Sequence, residues 1–391
     1  MRTCFPRFAA ALALACAAAS LVAGSMAAAQ QTQQKTLGVP QAAHGTEYDV
    51  SKYPNGVSAS YTAHDFQFAD GEKLAELRLH YVTLGTPHRN VQGHVDNAVM
   101  ILHGTGGSAE QFLGAGFAGV LFGPGQLLDA ARYYIILPDS IGHGDSSKPS
   151  DGLHMRFPRY DYDDMVRAQH VLLTEGLHVD HARLILGTSM GCMHAFVWGE
   201  AYPAYADALM PLACQPVEIA GRNRMTRKMV IENIESDPTF HGGEYTAEPT
   251  AGLRAAEEIV LLMGSSPLQM QEHEPTRDAA DQYLDKMLDS RAATLDANDM
   301  IYQFASSRNY NPFPKLGTIT APLLQINSAD DFINPPELHI ADRDIHLVPH
   351  GQFVLLPITE QTRGHGTHTL PAIWQGYLKQ LLDASAAPVA R

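Results

Sequence analysis

Short apolar runs and stretches of helical period alternate along most of this 391-residue chain. Apolar runs fall at 98–102, 133–137, 184–186 and 208–212, and again at 323–326 and 353–356. Runs this short, separated by helical stretches, predict a mostly parallel twisted sheet flanked by helices on both faces. One such stretch is 162–176, where Met165, Val166, Gln169, Leu172, Leu173 and Gly176 recur at helical spacing. Upstream, two strand-like pieces at 64–68 and 74–83 flank Asp70-Gly71, a hairpin signal. Beyond Cys214 the strand pattern stops. Residues 215–310 carry helical period instead (Met225, Met229, Val230; Leu253, Ala256, Val260; Tyr283, Met287, Leu288), and read as a helical cap inserted into the sheet domain. The segment 371–384 makes a closing helix.

The first 29 residues read as a signal peptide. Arg2 and Arg7 supply the positive region, 8–22 is an apolar run too short to span a bilayer, and Ala27-Ala28-Ala29 fits a cleavage site. The organisation expected is therefore a signal at 1–29, an extended arm at 30–60, a first core part at 61–214, the cap at 215–310 and a second core part at 311–391. The protein is expected to be exported, either periplasmic or secreted. No later segment is long and apolar enough for a membrane span. The chain holds 27 basic and 42 acidic residues, a formal net charge of −15, and loss of the leader with its two arginines takes it to −17. Such a surface repels phosphate backbones, which argues against nucleic acid as a partner. Cys4 and Cys16 leave with the leader. Cys192 and Cys214 remain, and we read them as two buried thiols on adjoining core elements, with a disulfide as the alternative open to an exported protein.

The chemistry enters at 182–191, where an apolar strand runs into Gly187-Thr188-Ser189-Met190-Gly191, a G-x-S-x-G pentapeptide. A strand feeding that sequence turns sharply and lifts the serine hydroxyl clear of the sheet, with a helix starting behind it. Ser189 is the candidate nucleophile. Such a serine needs a base, an acid to orient the base, and oxyanion donors. The acid and the histidine are sought downstream in that order. The strand at 323–326 leads into Asn327-Ser328-Ala329-Asp330-Asp331, and Asp331 is preferred to Asp330 by its spacing to Pro335, leaving Asp330 as a solvated turn residue. His365 lies between Gly364 and Gly366, which let its backbone approach the serine, and is preferred to His368 and His350. Oxyanion donors are expected from the N–H of Met190 and from Thr105 in the loop His103-Gly104-Thr105-Gly106-Gly107-Ser108.

Cofactor and metal chemistry find no motif. The glycine-rich loop lacks both G-x-G-x-x-G and G-K-[ST], and His339, His346, His350, His365 and His368 lack zinc-ligand spacing.

Several segments together resemble the homoserine O-acetyltransferase branch of the α/β-hydrolase superfamily, over most of residues 97–378. They are Asn97-Ala98-Val99, Gly123-Pro124-Gly125, Asp164-Met165-Val166-Arg167-Ala168-Gln169, Gly187-Thr188-Ser189-Met190-Gly191-Cys192-Met193, Asp296-Ala297-Asn298 and Gly364-His365. The resemblance implies an α/β-hydrolase fold, a Ser189–Asp331–His365 triad and a homodimer. Two departures bear on substrate. Members of that branch hold an amino-acid substrate partly through a cap arginine and an aspartate directly after the catalytic histidine. Here Gly366 follows His365, and Glu257 and Ser265 stand where arginines are expected. Asp139-Ser140-Ile141-Gly142-His143-Gly144-Asp145-Ser146 instead resembles the D-x-x-G-x-G-x-S loop of general hydrolases. The reading is an exported serine hydrolase acting on a small-molecule ester or related acyl bond. An O-acyltransferase is the first alternative, and a non-catalytic binding module on a hydrolase scaffold is the alternative of another class.

Overall fold

The computed structural model describes residues 49–385; the leader at 1–29 and the first part of the arm lie outside the described residues. Eight strands form one sheet: β1 (Val57–Gln67), β2 (Lys73–Leu84), β3 (Ala98–Leu102), β4 (Tyr134–Pro138), β5 (Leu184–Thr188), β6 (Leu209–Leu212), β7 (Leu323–Ser328) and β8 (Gly351–Leu356), in the order β1-β2-β4-β3-β5-β6-β7-β8. β1 and β2 are an antiparallel hairpin, β2 pairs antiparallel with β4, and the rest are parallel.

The helices are α1 (Ala118–Leu121), α2 (Tyr162–Val171), α3 (Met190–Ala201), α4 (Gly221–Glu235), α5 (Thr250–Gly264), α6 (Pro267–His273), α7 (Arg277–Ala292), α8 (Ala297–Ala305), α9 (Ile340–Asp344) and α10 (Pro371–Ala384). The interior strands are apolar throughout because both faces are covered. Met100, Leu102, Ile136 and Ile185 pack on one face, while Val99, Ile101, Ile135, Leu137, Leu184 and Leu186 pack on the other. β1 begins at Val57, inside the segment read as an arm. Its small and polar residues fit an edge strand with much of its length exposed, a position that leaves little apolar signal. Between β6 and β7 the chain leaves the sheet for α4 to α8, which have an apolar core of their own built on Val230, Ile234, Phe240, Leu253 and Met300. No helix among the described residues is long and apolar enough to cross a membrane.

The two cysteines read as free thiols are joined. Cys192 and Cys214 form a disulfide with Cα atoms 5.8 Å apart. The geometry follows from the fold: α3 starts at the end of β5, so its first turn lies over the end of the neighbouring strand β6, just before Cys214. The bridge closes a loop between residues 22 apart, and loop-closure entropy gives it about 3 kcal/mol. Replacing both cysteines by alanine is expected to lower the calorimetric melting temperature by roughly 4 °C; an unchanged value would show the bridge adds nothing.

β3 sits where the winding of the sheet reverses, with β4 on one side and β5 on the other. Loops leaving the carboxyl ends of β3 and β5 diverge there, and the crevice between them is the usual ligand position in an open parallel sheet.

Candidate active site

Ser189 lies in that crevice, between the last residue of β5 and the first of α3. Its backbone is held at φ +54°, ψ −108°, a conformation L residues rarely adopt and one that costs on the order of 1–3 kcal/mol. The flanking glycines are a packing requirement. A Cβ at Gly187 would stand 1.9 Å from the Gly191 carbonyl oxygen, and one at Gly191 would stand 2.1 Å from that of Leu102. Backbone bonds lock the turn: the Ser189 N–H donates to Leu212 O at 2.8 Å and the Gly191 N–H to His103 O at 2.9 Å.

His365 comes from the segment after β8, and Asp331 from the loop after β7. His365 Nε2 is 2.8 Å from Ser189 Oγ, and Nδ1 is 2.9 Å from Asp331 Oδ2. Asp331 is buried, and its Oδ1 accepts the N–H groups of Ile333 at 2.8 Å and Asn334 at 3.0 Å. The Asn334 side chain donates to Oδ2 at 3.2 Å. Burial alone would raise the Asp331 carboxyl, but the charge and hydrogen bond of His365 and the donors of Asn334 outweigh it and hold the acid below its ordinary value. An ionised Asp331 places the imidazole proton on Nδ1, leaving Nε2 to accept from the serine hydroxyl.

The competing residues have other tasks. Asp330, read as a solvated turn residue, is half-buried, and its Oδ2 accepts the Gly364 N–H at 2.9 Å and the Ser266 hydroxyl at 3.3 Å. It ties the histidine loop to the inserted helices. Gly364 is held at φ +57°, strained for any residue with a Cβ, and a Cβ there would be crowded by the carbonyl oxygens of Ser265 and Asp330 at 3.1 and 3.2 Å. His368 is buried and shares a hydrogen bond with the His365 carbonyl oxygen through Nδ1. Burial, then the neighbouring His365, pushes it down to about 3, so it stays neutral. His350 is exposed just before β8.

Facing the serine is the loop after β3. Gly104 packs so closely that a Cβ there would stand 3.2 Å from Ser189 Cβ. Gln111 bridges this loop to β5: its Oε1 accepts the Gly104 N–H at 3.4 Å and its Nε2 donates to Thr188 Oγ1 at 3.2 Å. Among the described residues, the N–H groups of Thr105 and Met190 have no acceptor. Met190 opens α3, where unpaired N–H groups and the helix dipole favour negative charge. Asp139 anchors this side, its carboxylate accepting the N–H groups of Ala109 at 2.6 Å and Asp145 at 2.9 Å. The arrangement can deprotonate a serine hydroxyl and offer two free donors beside it. Asn334, Asp330 and Gln111 escape a reading of the sequence, because their roles depend on loops that meet only in three dimensions. A surface depression of about 470 Å³, lined by His64, Phe66, Arg167 and Glu175, shares no residue with this site.

Residues 97–357 match the α/β hydrolase fold family. A probable acyltransferase of Methanothermobacter thermautotrophicus is 30% identical over 301 residues, covering 76% of this chain and 90% of that protein. The homoserine O-acetyltransferase of Moorella thermoacetica is 34% identical over 215 residues, covering 49% of this chain and 54% of its own; the chain thus spans about half the length of that relative. Among solved structures, esterase E22 superposes with a TM-score of 0.73 at 19% identity, covering 84% of this chain and 100% of the other, a likeness of fold. With a serine at the strand-to-helix turn, a histidine and an aspartate bonded behind it, and a sequence match over two thirds of its length, this chain belongs to the α/β-hydrolase fold family of enzymes.

Proposed function

We propose that the protein is an exported serine hydrolase that cleaves an ester or related acyl bond through an acyl-enzyme on Ser189. The observation that carries this reading is the continuous hydrogen-bonded relay from Ser189 Oγ through His365 to the buried Asp331. His365 Nε2 takes the hydroxyl proton as Oγ attacks the carbonyl carbon. The oxyanion is held by the N–H groups of Thr105 and Met190. Collapse of the tetrahedral species expels the alcohol, which receives the proton from His365, and water activated by the same imidazole releases the acid.

Water is favoured over an acceptor alcohol by the surroundings of His365. Gly366 follows it, with no carboxylate to hold an acceptor's ammonium group. Glu257, buried in α5, is engaged with Arg291 at 3.3 Å and is no substitute for a substrate-binding arginine. Export is supported by the leader-like residues 1–29 and by the Cys192–Cys214 disulfide, which suits an oxidising compartment. A second reading, transfer of the acyl group to an alcohol or thiol, is favoured by the 30% identity to the probable acyltransferase over most of that protein's length. Acid release from an activated acetyl ester, measured with and without an added alcohol, separates the two. The hydrolase reading expects acid at the full rate with water alone; a strict requirement for the acceptor would establish transfer.

A further inference from the structure

α4 carries Arg222, Arg224 and Arg227, and Arg308 follows α8 close by. The chain has 42 acidic residues, yet none of the ion pairs among the described residues includes any of these four arginines. Arg227 is only 6% exposed, and its guanidinium donates to neutral partners, through Nε to Asn223 Oδ1 at 3.0 Å and through Nη1 to Ser307 Oγ at 3.1 Å. Nη1 of Arg224 is buried with no hydrogen-bond partner among the described residues. Burial, followed by the charges of Arg308 and Arg227, depresses the Arg224 guanidinium, so the cluster repels itself. A buried cation without a counter-charge, as Arg227 is, is costly.

The same place holds two more buried hydroxyls. Tyr162 Oη and Thr105 Oγ1 are buried without a well-formed hydrogen bond. Burial raises the Tyr162 phenol, partly offset by the charge of Arg227 and by hydrogen-bonding contact with Ser307, Arg227 and Thr105, so these four side chains lie close together. Thr105 follows Gly104, the residue packed on Ser189. The same N-terminal end of α4 is pinned near the acid loop, where the Arg222 guanidinium lies 3.8 Å over the Phe332 ring, next to Asp331. The first half of α4 therefore reaches from the acid loop at Phe332 to the neighbourhood of Tyr162 and Thr105, on the loop that faces the serine.

We infer that Arg224 and Arg227, with Tyr162 and Thr105, form an anion subsite that binds a carboxylate carried by the substrate acylating Ser189. This deepens the hydrolase reading and rests on it for the word substrate. Two guanidinium groups and two hydroxyls supply only positive charge and donors to an incoming anion, and the planar guanidinium fork matches a carboxylate. The substrate class is thus an acidic ester, with its charge on the acyl or the alcohol side.

Two matched pairs of esters test this. In the first, 4-nitrophenyl hydrogen glutarate is compared with its neutral methyl ester; in the second, 4-acetoxybenzoate is compared with methyl 4-acetoxybenzoate. The wild type is expected to favour the acid of at least one pair by about tenfold or more in kcat/KM, and Arg224→Met and Arg227→Met to collapse that ratio, with Arg227→Lys retaining part of it. Arg224 is half-exposed, so its variant reads the subsite even if loss of Arg227 unfolds the protein. No preference in either pair, or a preference untouched by the substitutions, overturns the inference. Calorimetric titration of Ser189→Ala with monomethyl glutarate and with 4-acetoxybenzoate reads the subsite without turnover. Binding that is lost on adding Arg224→Met supports it even if no ester is cleaved, which would sink the hydrolase reading alone. Absence of binding by both probes removes the subsite and leaves the hydrolase reading standing.

Discussion

Replacing Ser189 by alanine is expected to lower kcat on an activated ester by roughly 10⁶, leaving only what the oxyanion donors and the crevice supply. The protein should remain folded, since among the described residues the hydroxyl's sole hydrogen-bond partner is His365. A second substitution separates chemistry from architecture. The backbone of Ser189 lies at φ +54°, strained for any residue with a Cβ. Ser189→Gly should therefore be as inactive as the alanine variant but more stable than it, by about 1 kcal/mol. A glycine variant more stable than the equally inactive alanine variant is the signature of a residue kept under strain for its reactivity. Equal stability of the glycine and alanine variants would mean that the turn carries no strain.

Asp331→Asn is the second large effect, expected at about 10⁴ in kcat with little change in stability. The amide side chain would keep the shape of the acid and could still accept from Ile333 and Asn334 through its carbonyl oxygen. It could not accept the Nδ1 proton of His365 through an amide nitrogen, so the imidazole would settle in the tautomer that leaves Nε2 protonated and useless as a base. Asp330→Asn, one residue away, is the control. Asp330 accepts from the Gly364 N–H and from Ser266, so its loss loosens the histidine loop without changing the tautomer, and an effect of about tenfold is expected. Comparable losses from the two substitutions would place the acid wrongly. His365→Ala and His368→Ala, assayed in the same way, divide the base from the neutral histidine that supports its backbone.

How far the site is legible in the sequence depends on whether a residue's role is written in its neighbours. Ser189 is legible, because a Cβ at Gly187 or Gly191 would stand about 2 Å from a backbone oxygen, which excludes any side chain there. β3 and α10 match their apolar patterns to the residue, and their limits are those of buried elements with abrupt ends. β1 is longer than its pattern, since an edge strand needs no apolar run. The disulfide escapes for a different reason. Cys192 and Cys214 sit 22 residues apart, and only the adjacency of β5 and β6 brings them together. Asp330 resembles a solvated turn residue in sequence because its partner, Gly364, lies 34 residues away. The arginines of α4 do carry a signal in the sequence: a basic Arg-x-Arg-x-x-Arg run, Arg222 to Arg227, in a strongly acidic chain.

Acylation of Ser189 is the step on which every other assignment depends. Incubation with an activated ester, rapid acid quench and peptide mass spectrometry would measure it directly. One equivalent of acyl group is expected on the peptide bearing Ser189 in the wild type, and none in His365→Ala. Turnover of the ester with no adduct on Ser189, or with the adduct on another residue, would contradict it.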